Sequence, residues 1–249
     1  MSYGSYVSGT TFEQIVELYL FTANFRQITF AQIEKIEVNV ANRGHITNCY
    51  LIYDKKRNGI IIDPGYDENK IIDTIKKNEV NVKYIILTHA HGDHIGAVCA
   101  VQKYTNAYVM IHEDDYLALI GKCENYSEML GVDIQNLPLE KIQKIKEGNI
   151  FTNIDFELEI IHTPGHTAGS ICIYLKEINA LFTGDTIFAD CYGRCDLFSG
   201  SFSSMVNSIK KIFERFDDVV IYPGHNKIVN IKKAKKYIRL LMAMKGVNL

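Results

Sequence analysis

The 249-residue sequence has no long apolar run, no excess of either charge, only four prolines and no paired cysteine spacing. Each shortage excludes something. The first apolar stretch, Ile15–Phe21, is interrupted by Glu17 and is far too short to span a bilayer. No Lys or Arg precedes it, so the start does not read as a secretory leader, and a cytoplasmic location is expected. Lys and Arg total 27 against 29 Asp and Glu, for a net charge of −2, which gives no electrostatic bias toward nucleic acid or an anionic membrane. Six cysteines without CxxC spacing build no disulfide framework; Cys49 and Cys172 sit inside apolar runs and read as reduced core thiols. No Pro/Ser/Gly linker divides the chain, so residues 1–249 are expected to form one domain. A chain of this size buries roughly 70–75% of its unfolded surface and needs no staples.

What is present is a run of periodic segments. Thr11 to Arg26 carries Phe12, Ile15, Leu18 and Phe21 at helical spacing, which predicts an N-terminal helical extension within residues 1–32. Ile33–Val40, Thr47–Tyr53 and Gly59–Ile62 read as a three-strand meander ending at Asp63-Pro64-Gly65. A helix Glu68–Lys77, a strand ending at Leu87, a helix near Ile95–Lys103 and a strand Ala107–Ile111 follow. Residues 113–149 read as a mostly helical insertion capping the domain. Strands return at Ile154–Ile161, Ser170–Leu175, Ala180–Phe182 and Val219–Tyr222, with helices at Phe202–Phe216 and about Val229–Met244. Strands first, then strand–helix units, twice over, predict an α/β fold: two mixed β-sheets flanked by helices, a four-layer αββα sandwich.

The chemistry concentrates in Thr88-His89-Ala90-His91-Gly92-Asp93-His94, placed where an apolar strand ends. Three imidazoles and a carboxylate in six positions are costly together without a cation, and small residues between them let the backbone curl about one point. Three more candidates also follow strands, each flanked by glycine or proline: His162-Thr163-Pro164-Gly165-His166-Thr167, Thr183-Gly184-Asp185-Thr186 and Tyr222-Pro223-Gly224-His225.

In this order, these motifs resemble the metallo-β-lactamase-fold hydrolases, most closely the glyoxalase II-like (hydroxyacylglutathione hydrolase-like) branch, over about residues 33 to 230. The Asn48–Ile52 strand, Asp63-Pro64-Gly65, the Phe182–Phe188 segment and Gly193-Arg194-Cys195-Asp196-Leu197 belong to the likeness. The resemblance implies that His89, His91 and His166 bind one divalent metal, that Asp93, His94 and His225 bind a second, and that Asp185 bridges them. Zinc heads the candidate metals, and the same N/O donors accept iron or manganese. Two divalent ions less two carboxylates and one hydroxide leave one net positive charge, suited to an anionic tetrahedral intermediate. The expected reaction is attack of a metal-bridging hydroxide on the carbonyl of a thioester such as S-lactoylglutathione, with Asp93 and Asp185 as the catalytic carboxylates.

Other polar residues are read more plainly. Asp63 and His162 are expected to support the ligand loops, and His112 to be structural. His45 reads as a surface residue near the mouth. Arg194 is the candidate for contact with an acidic substrate, with a salt bridge to Asp196 as the equal alternative. Lys232, Lys233, Lys235, Lys236 and Arg239 on the last helix read as a solvated face or as an attraction for an acidic thiol carrier. Only 24 residues follow His225, too few for the helical domain that helps bind glutathione in full-length glyoxalase II. The competing class is a mononuclear iron persulfide dioxygenase, which uses fewer of these ligands. A β-lactamase typically has Cys or Ser where Asp185 stands. The expected partner is a small-molecule substrate, with no nucleic acid or membrane; a homodimer is left open.

Overall fold

The computed structural model describes residues 31–40, 45–132, 134, 136–150 and 154–249; the expected helix Thr11–Arg26 lies outside them. In chain order the elements are β1 (Gln32–Val40), β2 (His45–Tyr53), β3 (Asn58–Ile62), α1 (Glu68–Lys77), β4 (Asn81–Ile86), α2 (Gly92–Ile95), α3 (Val98–Thr105), β5 (Tyr108–His112), α4 (Tyr116–Leu119), α5 (Ser127–Leu130), β6 (Ile142–Ile145), β7 (Gly148–Ile150), β8 (Leu158–His162), β9 (Ile171–Leu175), β10 (Ala180–Gly184), α6 (Phe202–Arg215), β11 (Val220–Pro223), β12 (Val229–Asn230) and α7 (Ile231–Met244).

Two six-stranded mixed sheets result, ordered β1-β2-β3-β4-β5-β6 and β12-β11-β10-β9-β8-β7. The expected meander is antiparallel, and β3, β4, β5 and β6 run parallel. Three apolar layers hold the four structural layers together. Tyr50, Ile52, Ile60, Ile62, Ile160 and Phe182 pack between the sheets. Their strand neighbours Cys49, Leu51 and Ile61 face the opposite way, toward Ile71 and Ile75 of α1 and Val98 and Val101 of α3. Ile161, Leu181 and Ile221 back the second sheet onto Met205, Ile209 and Ile212 of α6 and Ile238 and Met242 of α7. Period-two alternation on the strands and i, i+4 spacing on the helices thus produce the expected αββα sandwich. Cys49 and Cys172 are fully buried free thiols, as read from the sequence.

Two expectations need correction. The helix expected at Ile95–Lys103 is broken into α2 and α3. The Ala97 N–H bonds the Pro64 carbonyl at 2.9 Å, and a Cβ at Gly96 would lie 2.0 Å from the Gly65 carbonyl oxygen, so the Asp63-Pro64-Gly65 loop wedges into the break. The 113–149 segment is also less helical than expected. Its second half supplies β6, which adds to β5, and β7, which starts the other sheet beside β8. The segment is therefore the crossover between the sheets. The strand expected from Ile154 begins only at Leu158.

No described helix is long and apolar enough to cross a membrane. Within each sheet, β3 and β4, and β8, β10 and β11, point the same way, so the loops that follow them gather at one edge of the sandwich.

Candidate metal centre

Every predicted ligand lies just after one of those strands, Asp93 and His94 within α2. His89, His91, Asp93 and His94 follow β4, His166 follows β8, Asp185 follows β10 and His225 follows β11. Potential ligand atoms fall into overlapping groups, each within 4.8 Å: His89, His91 and His166; His89, His94 and Asp185; and Asp93, His94 and His225. His91 Nδ1 is 2.9 Å from His166 Nε2. His225 Nε2 is 3.2 Å from Asp93 Oδ2, 3.4 Å from Asp185 Oδ2 and 3.4 Å from His94 Nε2. Asp185 faces both groups, with Oδ1 3.3 Å from His94 Nε2 and Oδ2 3.5 Å from His166 Nε2. Ligand atoms about 2.0–2.1 Å from a tetrahedral ion are themselves about 3.3 Å apart, so these separations suit such an ion.

The second nitrogen of each ring explains why these faces converge. His89 Nδ1 bonds the Thr88 hydroxyl at 3.1 Å, and that hydroxyl donates to Asp63 Oδ2 at 2.6 Å. Asp63 Oδ2 also takes His94 Nδ1 at 2.9 Å. His166 Nδ1 bonds the Arg194 carbonyl at 2.8 Å, and His225 Nδ1 bonds the Ile46 carbonyl at 2.7 Å. These bonds at Nδ1 turn Nε2 of His89, His94, His166 and His225 inward, the arrangement that outer hydrogen bonds impose on metal-binding histidines, whereas His91 turns its Nδ1 inward toward His166. His89 Nε2 is buried and has no hydrogen-bond partner, a cost that a coordinated cation would remove. Gly224 keeps the space open: a Cβ there would lie 2.4 Å from Asp185 Oδ1 and 2.6 Å from His94 Cε1.

The electrostatics divide the centre. Burial, reinforced by neighbouring imidazoles, holds His89 well below the ordinary histidine range and His91 down at about 3. Burial opposes charge on His94 and His225 too. Asp185 and Asp93 outweigh it, lifting His94 well up and His225 to about 10. Burial would raise Asp185, but His225 and His94 hold it well below the usual carboxylate range. Neutral imidazoles face one side; on the other, His94 and His225 hold protons against Asp185 and Asp93, and a cation binding there would displace those protons.

Asp63 is buried under the ligand loops, as expected, and also takes the Thr88 N–H at 2.7 Å. His162 bonds the Ala168 carbonyl at 2.8 Å, bracing the His166 loop, and stacks on His112 at 4.0 Å and 15°. Those rings lie near Asp114, but nearly parallel planes do not aim two lone pairs at one ion. The Arg194 guanidinium is exposed and paired with Asp196 through two 2.8 Å bonds, so the salt-bridge alternative is the one formed. Its carbonyl, not its side chain, reaches the centre. Lys232 pairs with Asp218, and buried Lys235 bonds the Phe213 carbonyl, so the basic face of α7 is partly engaged. The His45 side chain lies outside the described residues.

The sequence reading passed over two residues. The Tyr126 ring lies 5.4 Å from His91, and its hydroxyl accepts the Phe198 N–H at 2.9 Å. Asp115, buried at the turn after β5, bonds both loops of the tri-histidine group. An acidic residue just past a strand on the ligand edge was the available signal for Asp115; Tyr126 had none.

An αββα sandwich with histidines and carboxylates converging at one sheet edge defines a class of metal-dependent hydrolases. The chain belongs to the Metallo-beta-lactamase superfamily, whose family model matches residues 42–225. It is 31% identical to hydroxyacylglutathione hydrolase GloC of Haemophilus influenzae, over 76% of this chain and 90% of that one. It is 34% identical to the "Probable polyketide biosynthesis zinc-dependent hydrolase PksB" of Bacillus subtilis, over 74% and 75%. Among solved structures, the BLEG-1 B3 metallo-beta-lactamase superposes with a TM-score of 0.76 at 29% identity, covering 84% of this chain and 99% of that one.

Proposed function

We propose that the protein is a thioester hydrolase with a two-metal centre, acting on S-lactoylglutathione or a related acyl thiol. The carrying observation is that Asp185 faces both ligand groups, 3.3 Å from His94 and 3.5 Å from His166. His89, His91 and His166 would hold one divalent ion, Asp93, His94 and His225 the other, and Asp185 would bridge them. Zinc is the favoured metal, in line with the zinc-dependent relative; the same donors accept iron or manganese. Bound ions of this kind supply Lewis acidity, lowering the pKa of a water toward about 7 and favouring an oxyanion.

The chain's own residues do the rest. Asp63, Thr88 and the Arg194 and Ile46 carbonyls fix the ring orientations. Tyr126 lies beside His91 and Phe188 beside His225, and these apolar rings at the centre suit an acyl group. The hydroxyacylglutathione hydrolase relative, 90% of which aligns with this chain, supports a glutathione thioester. Convergence of Asp93, His94 and His225 supports two ions over the single iron of a persulfide dioxygenase. One domain, a small-molecule substrate and a cytoplasmic setting complete the reading.

The test is metal analysis of purified protein, paired with turnover of S-lactoylglutathione, other acyl thioesters and a chromogenic β-lactam, for wild type and Asp185→Asn. Two metals per chain and thioester turnover that falls at least 100-fold in the variant are expected. Equal turnover by both proteins, or one iron with oxygen uptake on glutathione persulfide, overturns the reading.

A further inference from the structure

Asp115 is 2% exposed, stands outside the ligand set and is bonded to three groups from two loops. Its Oδ2 accepts the Ala90 N–H at 3.0 Å and the Thr167 hydroxyl at 2.8 Å, and its Oδ1 accepts the Gly169 N–H at 2.7 Å. Ala90 lies between His89 and His91; Thr167 and Gly169 lie just after His166. One carboxylate therefore ties together the two loops that carry the tri-histidine group, which belong to different sheets. The fit is close, since a Cβ on Gly169 would lie 2.6 Å from the carboxylate. Thr167 is itself fixed by Ser170, whose hydroxyl lies 2.8 Å from Thr167 Oγ1 and accepts the Thr167 N–H at 3.0 Å.

We propose that Asp115 is a positioning residue that sets the metal affinity of the His89–His91–His166 group by clamping its two loops together. The inference rests on the metal reading given above. The groups that Asp115 bonds, Ala90, Thr167 and Gly169, are the chain neighbours of His89, His91 and His166, so its larger effect falls on that group. A carboxylate offers enough lone pairs for all three donors. An amide of the same shape keeps one oxygen and presents N–H groups to the others, so Asp115→Asn breaks the clamp without opening a cavity. Loss of an outer partner of this kind typically costs 10–100-fold in metal affinity.

The experiment isolates each metal. His225→Ala removes a ligand of the second group and His91→Ala a ligand of the first. Each full-length variant, stripped of metal, is titrated with Zn2+ against a chromophoric chelator, with and without Asp115→Asn. In the His225→Ala background, Asp115→Asn is expected to weaken Zn2+ at least 10-fold; in the His91→Ala background, less than 3-fold. Equal weakening in both backgrounds marks a merely structural residue and overturns the proposal, as does no weakening in either. Should Asp115→Asn fail to fold, Thr167→Val removes one donor and keeps the carboxylate; the same one-sided loss is expected, and its absence overturns the proposal. If His225→Ala and His91→Ala do not each retain one Zn2+, the two-metal reading fails. If they do and Asp115→Asn does not discriminate, this inference alone fails.

Discussion

At the scale of single residues, the centre depends on space as much as on ligands. A methyl group at position 224 would sit 2.4 Å from Asp185 Oδ1. Gly224→Ala is therefore expected to lose at least one metal by elemental analysis and to lower thioester turnover at least 100-fold. Its urea midpoint, measured on metal-free protein, should stay close to wild type, because the intrusion is into the site and not the core. The thiols give an opposite expectation. Burial first, then the adjacent Asp190 and Asp196 respectively, pushes Cys191 and Cys195 up to about 11. A raised pKa means the neutral thiol dominates until pH approaches 11, so about one molecule in ten thousand carries the reactive thiolate at pH 7. Alkylation of both by iodoacetamide should be slow at pH 7 and speed up about tenfold per pH unit to about pH 10. Rapid labelling at neutral pH would reveal an activated nucleophile that the structure does not contain. The converging side chains were legible because eight histidines are few enough for a cluster at a strand end to carry meaning. The Arg194 and Ile46 carbonyls were not, since a backbone acceptor is present at every position and only the fold chooses between them.

At the scale of elements, β2 does more than fill the inter-sheet core. Its Asn48 N–H bonds the Gly224 carbonyl at 2.7 Å, and its side-chain amide reaches the Pro223 and Asn226 carbonyls at 2.9 and 3.0 Å. The next residue but one, Tyr50, donates to the same Pro223 carbonyl at 2.7 Å, with its ring edge-on to Phe182 and Tyr222. The strand of one sheet thus holds the His225 loop of the other. Asn48→Ala deletes two side-chain bonds while Tyr50 still serves Pro223, so a loss of about 1–3 kcal/mol is expected in urea unfolding. The His225 side of the centre should lose metal first, readable by chelator titration. Asn48–Ile52 read correctly as a strand because it is a short, nearly continuous apolar run, and both of its faces are buried. By contrast, Ile142-Gln143-Lys144-Ile145 is an edge strand whose middle is exposed, and polar edge strands carry no clear alternation. The α2–α3 break was likewise invisible, because its cause, the Pro64 carbonyl capturing the Ala97 N–H, lies 33 positions earlier in the chain.

At the scale of the whole molecule, the centre lies where two halves meet, joined by an apolar layer and by hydrogen bonds such as those of Asn48 and Asp115. The first sheet contributes His89, His91, Asp93 and His94, and the second contributes His166, Asp185 and His225. Ions held between them would act as cross-links at one edge of the sandwich, present in the native state and absent once the loops separate. A ligand at a thousand times its dissociation constant stabilises by about 4 kcal/mol. For a chain of this size, each kcal/mol moves the melting temperature by about 2–4 °C. Chelation of the purified protein should therefore lower Tm by about 10 °C, and readdition of Zn2+ should restore it. Asp185→Asn, which alters the carboxylate that faces both groups, should start lower and respond less. The measurement is differential scanning calorimetry with and without chelator on both proteins. A wild-type shift below 2 °C would mean that the ions, if bound, do not cross-link the sheets, and that the packed inter-sheet layer around Tyr50 and Phe182 holds the sandwich closed without them.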